Sequence, residues 1–222
     1  MSGTDTAMRL KTLLVALVPV ALAVYVSYRF VDADVARLAQ HLLVGRTGTG
    51  SGMPHVPDLL LPVVLVVTVV GWGGRFLLAH DPVKGQLRGC LTLLGLVAPL
   101  SYGAKVILKL VFGRVRTRDW LVQPQLDGFH WFHGTGVFNG FPSGHMIVFT
   151  AMAAAVWHYY PRYRGALAAL LCLLAAALVL LDYHFVSDVI AGAYCGLLVY
   201  WVVWRLFDGS GEGVAHPANP VV

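Results

Sequence analysis

Residues 164–181 read RGALAALLCLLAAALVLL, with no charged side chain after Arg164. As a helix this run is about 27 Å long, close to the ~30 Å hydrocarbon core of a bilayer. It alternates with neither a strand nor a half-polar helix period, so it must be apolar on every face. Working outward, comparable runs occur at about 12–28, 57–78, 89–112, 143–160 and 185–207. The chain has 222 residues, of which only 12% are charged and 58% hydrophobic, and a mean hydropathy of +0.71. Such a composition lies outside the range of soluble domains. The expectation is an all-α polytopic membrane protein: a bundle of six transmembrane helices in a single domain over 1–207, with a disordered Gly- and Pro-rich tail over 208–222.

The connections carry less information. Run 12–28 follows Arg9 and Lys11 and resembles a signal peptide, with Ala21-Leu22-Ala23 as a cleavage point, but it stays apolar through Val26; a retained helix is expected. Val31, Val35, Leu38 and Leu42 recur at helical spacing with Asp32, Asp34 and Arg37 between them, which fits either an interfacial amphipathic helix or an ordinary loop helix. Gly45–Gly52 lacks the strand and the Lys-Ser or Lys-Thr of a phosphate-cradling loop and reads as a flexible connector. The long polar connection 113–141, between the third and fourth helices, is the only loop large enough for a cap, with Trp120, Trp131 and Phe132 as candidate interfacial anchors.

A net charge of +5 comes from cations flanking apolar runs rather than from a basic block, which favours lipid phosphates over nucleic acid as partners. Once Lys105, Lys109, Arg114 and Arg116 are set aside as site residues, the side bearing the termini is the more positive. That places both termini in the cytoplasm and the chemistry on the opposite, extracytoplasmic face. Cys90, Cys172 and Cys195 fall inside apolar runs and read as packing residues. Glu212 is the only glutamate and the other carboxylates are scattered, so neither a metal nor another cofactor is expected.

Three elements bear chemistry. His184 and Asp188, four residues apart at the start of the last helix, share a face; the carboxylate orients the imidazole and stabilises its cation, leaving the other ring nitrogen free to attack phosphorus. His145 opens the fourth helix in Phe141-Pro142-Ser143-Gly144-His145 and is placed to protonate the leaving oxygen and then to activate water. Pro142 suits a first helical turn, Ser143 supplies a hydroxyl, and Gly144 lets the backbone approach an anion at a helix N-terminus. Lys109 and Arg116, in Lys109-Leu-Val-Phe-Gly-Arg114-Val-Arg116-Thr117, add cations for the equatorial oxygens. Asp182 is a rival partner for His184 but falls on another helical face.

In this order the elements resemble the signature of the type-2 phosphatidic acid phosphatase superfamily, Lys-x(6)-Arg-Pro, Pro-Ser-Gly-His and Ser-Arg-x(5)-His-x(3)-Asp. The resemblance implies phosphate contacts from Lys109, Arg116, Ser143 and Gly144, acid/base work by His145, attack by His184 and orientation by Asp188. Two positions depart from it. Thr117 stands for the proline of the first element, and Ala177-Leu178 stand for Ser-Arg, removing one phosphate-binding guanidinium. Arg114 is the favoured replacement, with Lys105, Arg118, His130 and His133 as others, and Leu178→Arg is expected to leave activity intact.

The functional expectation is a metal-independent lipid phosphatase, hydrolysing a membrane lipid phosphate or diphosphate through a phosphohistidine, in the cytoplasmic membrane of a bacterium. Two alternatives stand beside it: a lipid phosphotransferase that passes the group to an alcohol, and a degenerate member that only binds anionic lipid.

Overall fold

The computed structural model describes residues 3–44 and 59–209. The expected connector at Gly45–Gly52 and nearly all of the expected tail lie outside those residues. Among the described residues every extended element is helical: α1 (Gly3–Phe30), α2 (Asp32–Val44), α3 (Leu60–Leu77), α4 (Gly85–Phe112), α5 (Thr117–Val122), α6 (Gly144–Tyr159), α7 (Arg164–Leu180) and α8 (Val186–Gly209). The sole strand-like contact among them is an isolated bridge between Arg114 and Phe129.

Among the described residues four helices, α3, α4, α7 and α8, are long and apolar enough to cross a membrane, and a fifth crossing results if α1 and α2, bent by 58°, count as one. α6 has 16 residues, about 24 Å at 1.5 Å per residue, which is short of a full crossing. Its place is central instead. Ile147, Val148, Ala151 and Ala155 are fully buried, and α6 joins α4 and α8 around Leu93, Val97, Tyr159, Val203 and Trp204. On its other flank it meets α3 and α4 around Leu60, Val64, Ala98 and Met152.

Small residues set the spacing of α6 and α8. A Cβ on Gly192 would lie 2.6 Å from the Ser143 carbonyl oxygen, and one on Gly196 would lie 2.5 Å from that of Ile147. These are backbone atoms that cannot swing aside, so one turn-spaced glycine pair lets two helices touch main chain to main chain. At the upper end of this seam the Ser143 amide donates to the Asp188 carbonyl at 3.0 Å.

The connection from α4 to α6 is built on the end of α4. The last carbonyls of a helix have no partner within it; here those of Leu110, Val111 and Gly113 accept the amides of Gly134, Phe132 and His130. Gly113 ends α4 in the left-handed region at φ +55°, and any Cβ there would collide with the His130 carbonyl. Trp131 and Phe132 are exposed, whereas Trp120 is buried against Phe185; it is a core residue and not an interfacial anchor.

The inward face of α2 is made of small residues and one carboxylate. Asp32, Ala36 and Ala39 are buried while Leu38 and Leu42 are exposed. The leucine stripe faces outward because small side chains, and one carboxylate, permit the close approach.

Gly196→Ala should lower the unfolding free energy by about 2 kcal/mol, as expected for overpacking; thermal unfolding of the detergent-solubilised protein measures it.

Candidate active site

Two turns bring the site together. α7 closes through Asp182, a non-glycine residue at φ +55°, with the Tyr183 amide donating to Leu178 O at 2.9 Å and that of Asp182 to Val179 O at 3.1 Å. This is the paired bonding of a Schellman turn. Such turns carry an apolar contact between their flanking residues, and Tyr183 packs with Leu178 beside Met146 and Val189. The His184 amide also donates to Leu178 O, at 3.1 Å, so the turn delivers His184 to the start of α8.

The second turn is the head of α6. Ser143 caps it, accepting from the Met146 amide. Pro142 therefore precedes the cap rather than occupying the first helical turn as expected. Gly144 is needed at the next position: the stem of Lys105 runs over it, and a Cβ would sit 2.7 Å from Lys105 Cγ.

The rings of His145 and His184 face each other with centroids 6.4 Å apart and planes inclined by 66°. His184 is buried and His145 half-buried. Asp188 Oδ2 lies 3.5 Å from His184 Nδ1 and accepts the Phe185 amide at 3.0 Å. The Lys109 ammonium donates to the Asn139 carbonyl at 2.6 Å and its charge is felt by His184. Burial pushes the His184 imidazole below its ordinary value of 6.5; the neighbouring Asp188 carboxylate counters this, and the charge of Lys109 adds to the depression.

Arg114 is placed differently from expectation. It is 1% exposed; Nη1 donates to Asp188 Oδ1 at 2.6 Å and to Ser187 Oγ at 2.7 Å, and Nη2 donates to Asp32 Oδ2 at 2.8 Å. Tyr28, Phe129 and Phe185 wall it in, with the guanidinium carbon 4.9, 5.7 and 4.2 Å from their centroids. A guanidinium already engaged by two carboxylates is not offered to a phosphate, so Arg114 is an internal clamp and not the substitute for the missing arginine. Arg116 is half-exposed and its Nε donates to Asp119.

Among the other expected substitutes, Arg118 lies over the Tyr183 ring at 4.0 Å and donates to Leu181 O. His130 packs on Phe138, and His133 contacts the Trp131 carbonyl. Lys105, buried against Gly144 with its ammonium 4.5 Å from the centroid of Tyr102, is the cation packed on the His145 turn itself. Asp182 is no partner for His184: its carboxyl, raised to about 6 by burial, feels the charge of Arg118.

Asp32 is the residue the sequence reading missed. Its Oδ1 accepts the Ser187 amide at 3.0 Å and its Oδ2 accepts the Ser187 hydroxyl. A carboxylate from α2 thereby caps α8, 155 positions away along the chain. Its only signal in the sequence is a carboxylate between two apolar segments, where burial demands a partner.

The sequence profile of the PAP2 superfamily matches residues 90–212, more than half of the chain, and the protein belongs to that superfamily. Among characterised relatives, it is 38% identical over 90 residues to the lipid A 1-phosphatase of Rhizobium etli, a match covering 40% of this chain and 38% of that protein. The lipid A 1-phosphatase of Rhizobium johnstonii is likewise 38% identical over 90 residues, covering 40% of this chain and 36% of the relative. The chain thus matches under two-fifths of the length of these relatives. A PAP2-type phosphatidylglycerolphosphate phosphatase from Bacillus subtilis superposes with a TM-score of 0.45 at 18% identity, over 90% of this chain and 95% of that one.

Two outcomes follow. Neutral imidazole is the nucleophilic form, so a reaction begun by His184 should hold its kcat/KM as pH falls through 6.5 and decline only below it, as a pH–rate profile records. Leu178→Arg drives a cation into the Met146–Val189 cluster and should cost about 2–3 kcal/mol in thermal unfolding.

Proposed function

We propose that the protein is an integral-membrane lipid phosphatase acting through a phosphohistidine at His184. The observation that carries this reading is the pairing of the His145 and His184 rings at 6.4 Å, with Asp188 behind His184 and the capped head of α6 beside them. In the first half-reaction the His184 nitrogen remote from Asp188, Nε2, attacks phosphorus. The bond from phosphorus to the lipid oxygen breaks, and that oxygen takes the proton of His145. Asp188 stabilises the cationic imidazole. In the second, His145 removes a proton from water, whose oxygen displaces His184 and releases inorganic phosphate. Lys109, Arg116, Ser143 and Gly144 hold the phosphoryl oxygens, with no step requiring a metal.

On this reading α6, though short of a full crossing, completes a six-helix bundle with α1, α3, α4, α7 and α8, and the α4–α6 connection caps the site, all within one domain over 1–207. The distribution of cations supports cytoplasmic termini and an extracytoplasmic site in a bacterial inner membrane. The named activity of the two rhizobial relatives makes the 1-phosphate of lipid A the first substrate to test. Leu178, where the family places arginine, keeps open a second reading in which an alcohol replaces water as acceptor.

Purified protein should release phosphate from 1-phosphorylated lipid A or, failing that, from phosphatidic acid or a polyprenyl diphosphate, with chelator present. His184→Ala should abolish the release. Label recovered on an added lipid alcohol instead of in free phosphate would favour the transferase, and turnover lost on chelation would overturn the mechanism.

A further inference from the structure

The Asp32 carboxylate is buried to 3% exposure, shares Arg114 with Asp188, and stands on α2, outside the 90–212 region that the superfamily profile matches. One role is visible at once: it caps α8 through the Ser187 amide. A cap alone does not require a guanidinium, however, and Arg114 creates an electrostatic problem that Asp32 resolves.

An arginine bound to Asp188 at 2.6 Å cancels the charge that Asp188 needs in order to stabilise a cationic His184. With Asp32 on the other side of the same guanidinium at 2.8 Å, two carboxylates face one cation, and a single net negative charge remains for the imidazole. The aromatic wall of Tyr28, Phe129 and Phe185 keeps water from the pair, so the balance is poorly screened. The geometry is equally restrictive. Arg114 takes Oδ1 of Asp188 and the Phe185 amide takes Oδ2, which stops the carboxylate from rotating and leaves Oδ2 turned toward His184 Nδ1.

We propose that Asp32 is a positioning residue for His184, acting through Arg114 to keep Asp188 both oriented and effectively anionic, so that α2 is part of the reaction apparatus. This rests on the phosphatase reading above. A group that acts only on the charged intermediate changes kcat and leaves substrate binding alone, because the phosphate contacts of Lys109 and the α6 head are untouched.

The test uses the full chain in detergent, with 1-phosphorylated lipid A and dioctanoyl phosphatidic acid as substrates and folded protein quantified by thermal unfolding. Asp32→Asn, which keeps size and removes charge, should lower kcat about tenfold with KM changed less than about twofold. Asp34→Asn removes the same charge from the exposed face of α2, where Asp34 pairs only loosely with Arg37 at 3.8 Å, and should match the wild type. Should Asp32→Asn fail to fold, Arg114→Lys gives the same reading: its single ammonium cannot span both carboxylates, and kcat should fall with KM retained. A folded Asp32→Asn protein with wild-type kcat, or a loss confined to KM, overturns the positioning role while the phosphatase reading stands. Wild-type protein inert on both substrates and on a polyprenyl diphosphate overturns both.

Discussion

Two carboxylates converge on the first turn of α8 with one guanidinium between them, and much of the upper half of the molecule is arranged around that fact. Asp188 is local to the helix and satisfies its opening amide, while Asp32 arrives from α2 and satisfies the amide of Ser187. The positive end of a helix is a favourable place for both. Two anions so close together are tolerable in a buried setting only with a cation to hold them, and Arg114 enters from the end of α4 for that purpose. One cluster therefore ties α2, the α4–α6 connection and α8 into one body. Breaking it by removing a single member leaves an uncompensated buried charge, which is the expensive way to lose an ion pair.

The same cluster is joined to α6 through main chain. Ser143 donates its amide to the Asp188 carbonyl, and the glycines of α8 allow that contact by letting the two helices meet without side chains between them. A histidine on α6 and one in the turn before α8 consequently face one another across a short, determined distance. The geometry is set by backbone and buried charge, neither of which drifts as a surface loop does.

The legibility of these features differs by residue. The apolar runs announced α3, α4, α7 and α8, since length and composition suffice for them. The spaced pattern of His145, His184 and Asp188 at helix heads was legible, and the structure sets the two rings 6.4 Å apart with Asp188 3.5 Å from His184. Arg114 was misread because a sequence shows a cation two residues from another but not the carboxylate that claims it. Asp32 was misread for a related reason: on a helix with leucines at regular spacing, the polar face looks like the solvated one. Here two alanines and an aspartate form the buried face. Leu178 looked like a loss when compared with the family pattern, yet it supplies the apolar contact of the turn that carries His184. Contacts over 155 positions leave no periodicity behind them.

In α7 the single buried residue is Leu178, near its C-terminal end. Leu171, Leu174, Ala175 and Val179 pack half-buried beside it, but on the outward face of the helix any oily residue of fair helix propensity satisfies the surroundings equally well, so natural variants there should drift freely among alanine, leucine and valine. Mutational intolerance should instead gather at position 178 and at the left-handed Asp182. A comparison of many orthologues would then show a blank middle with a sharply constrained end, and the helix would owe its identity to where it stops.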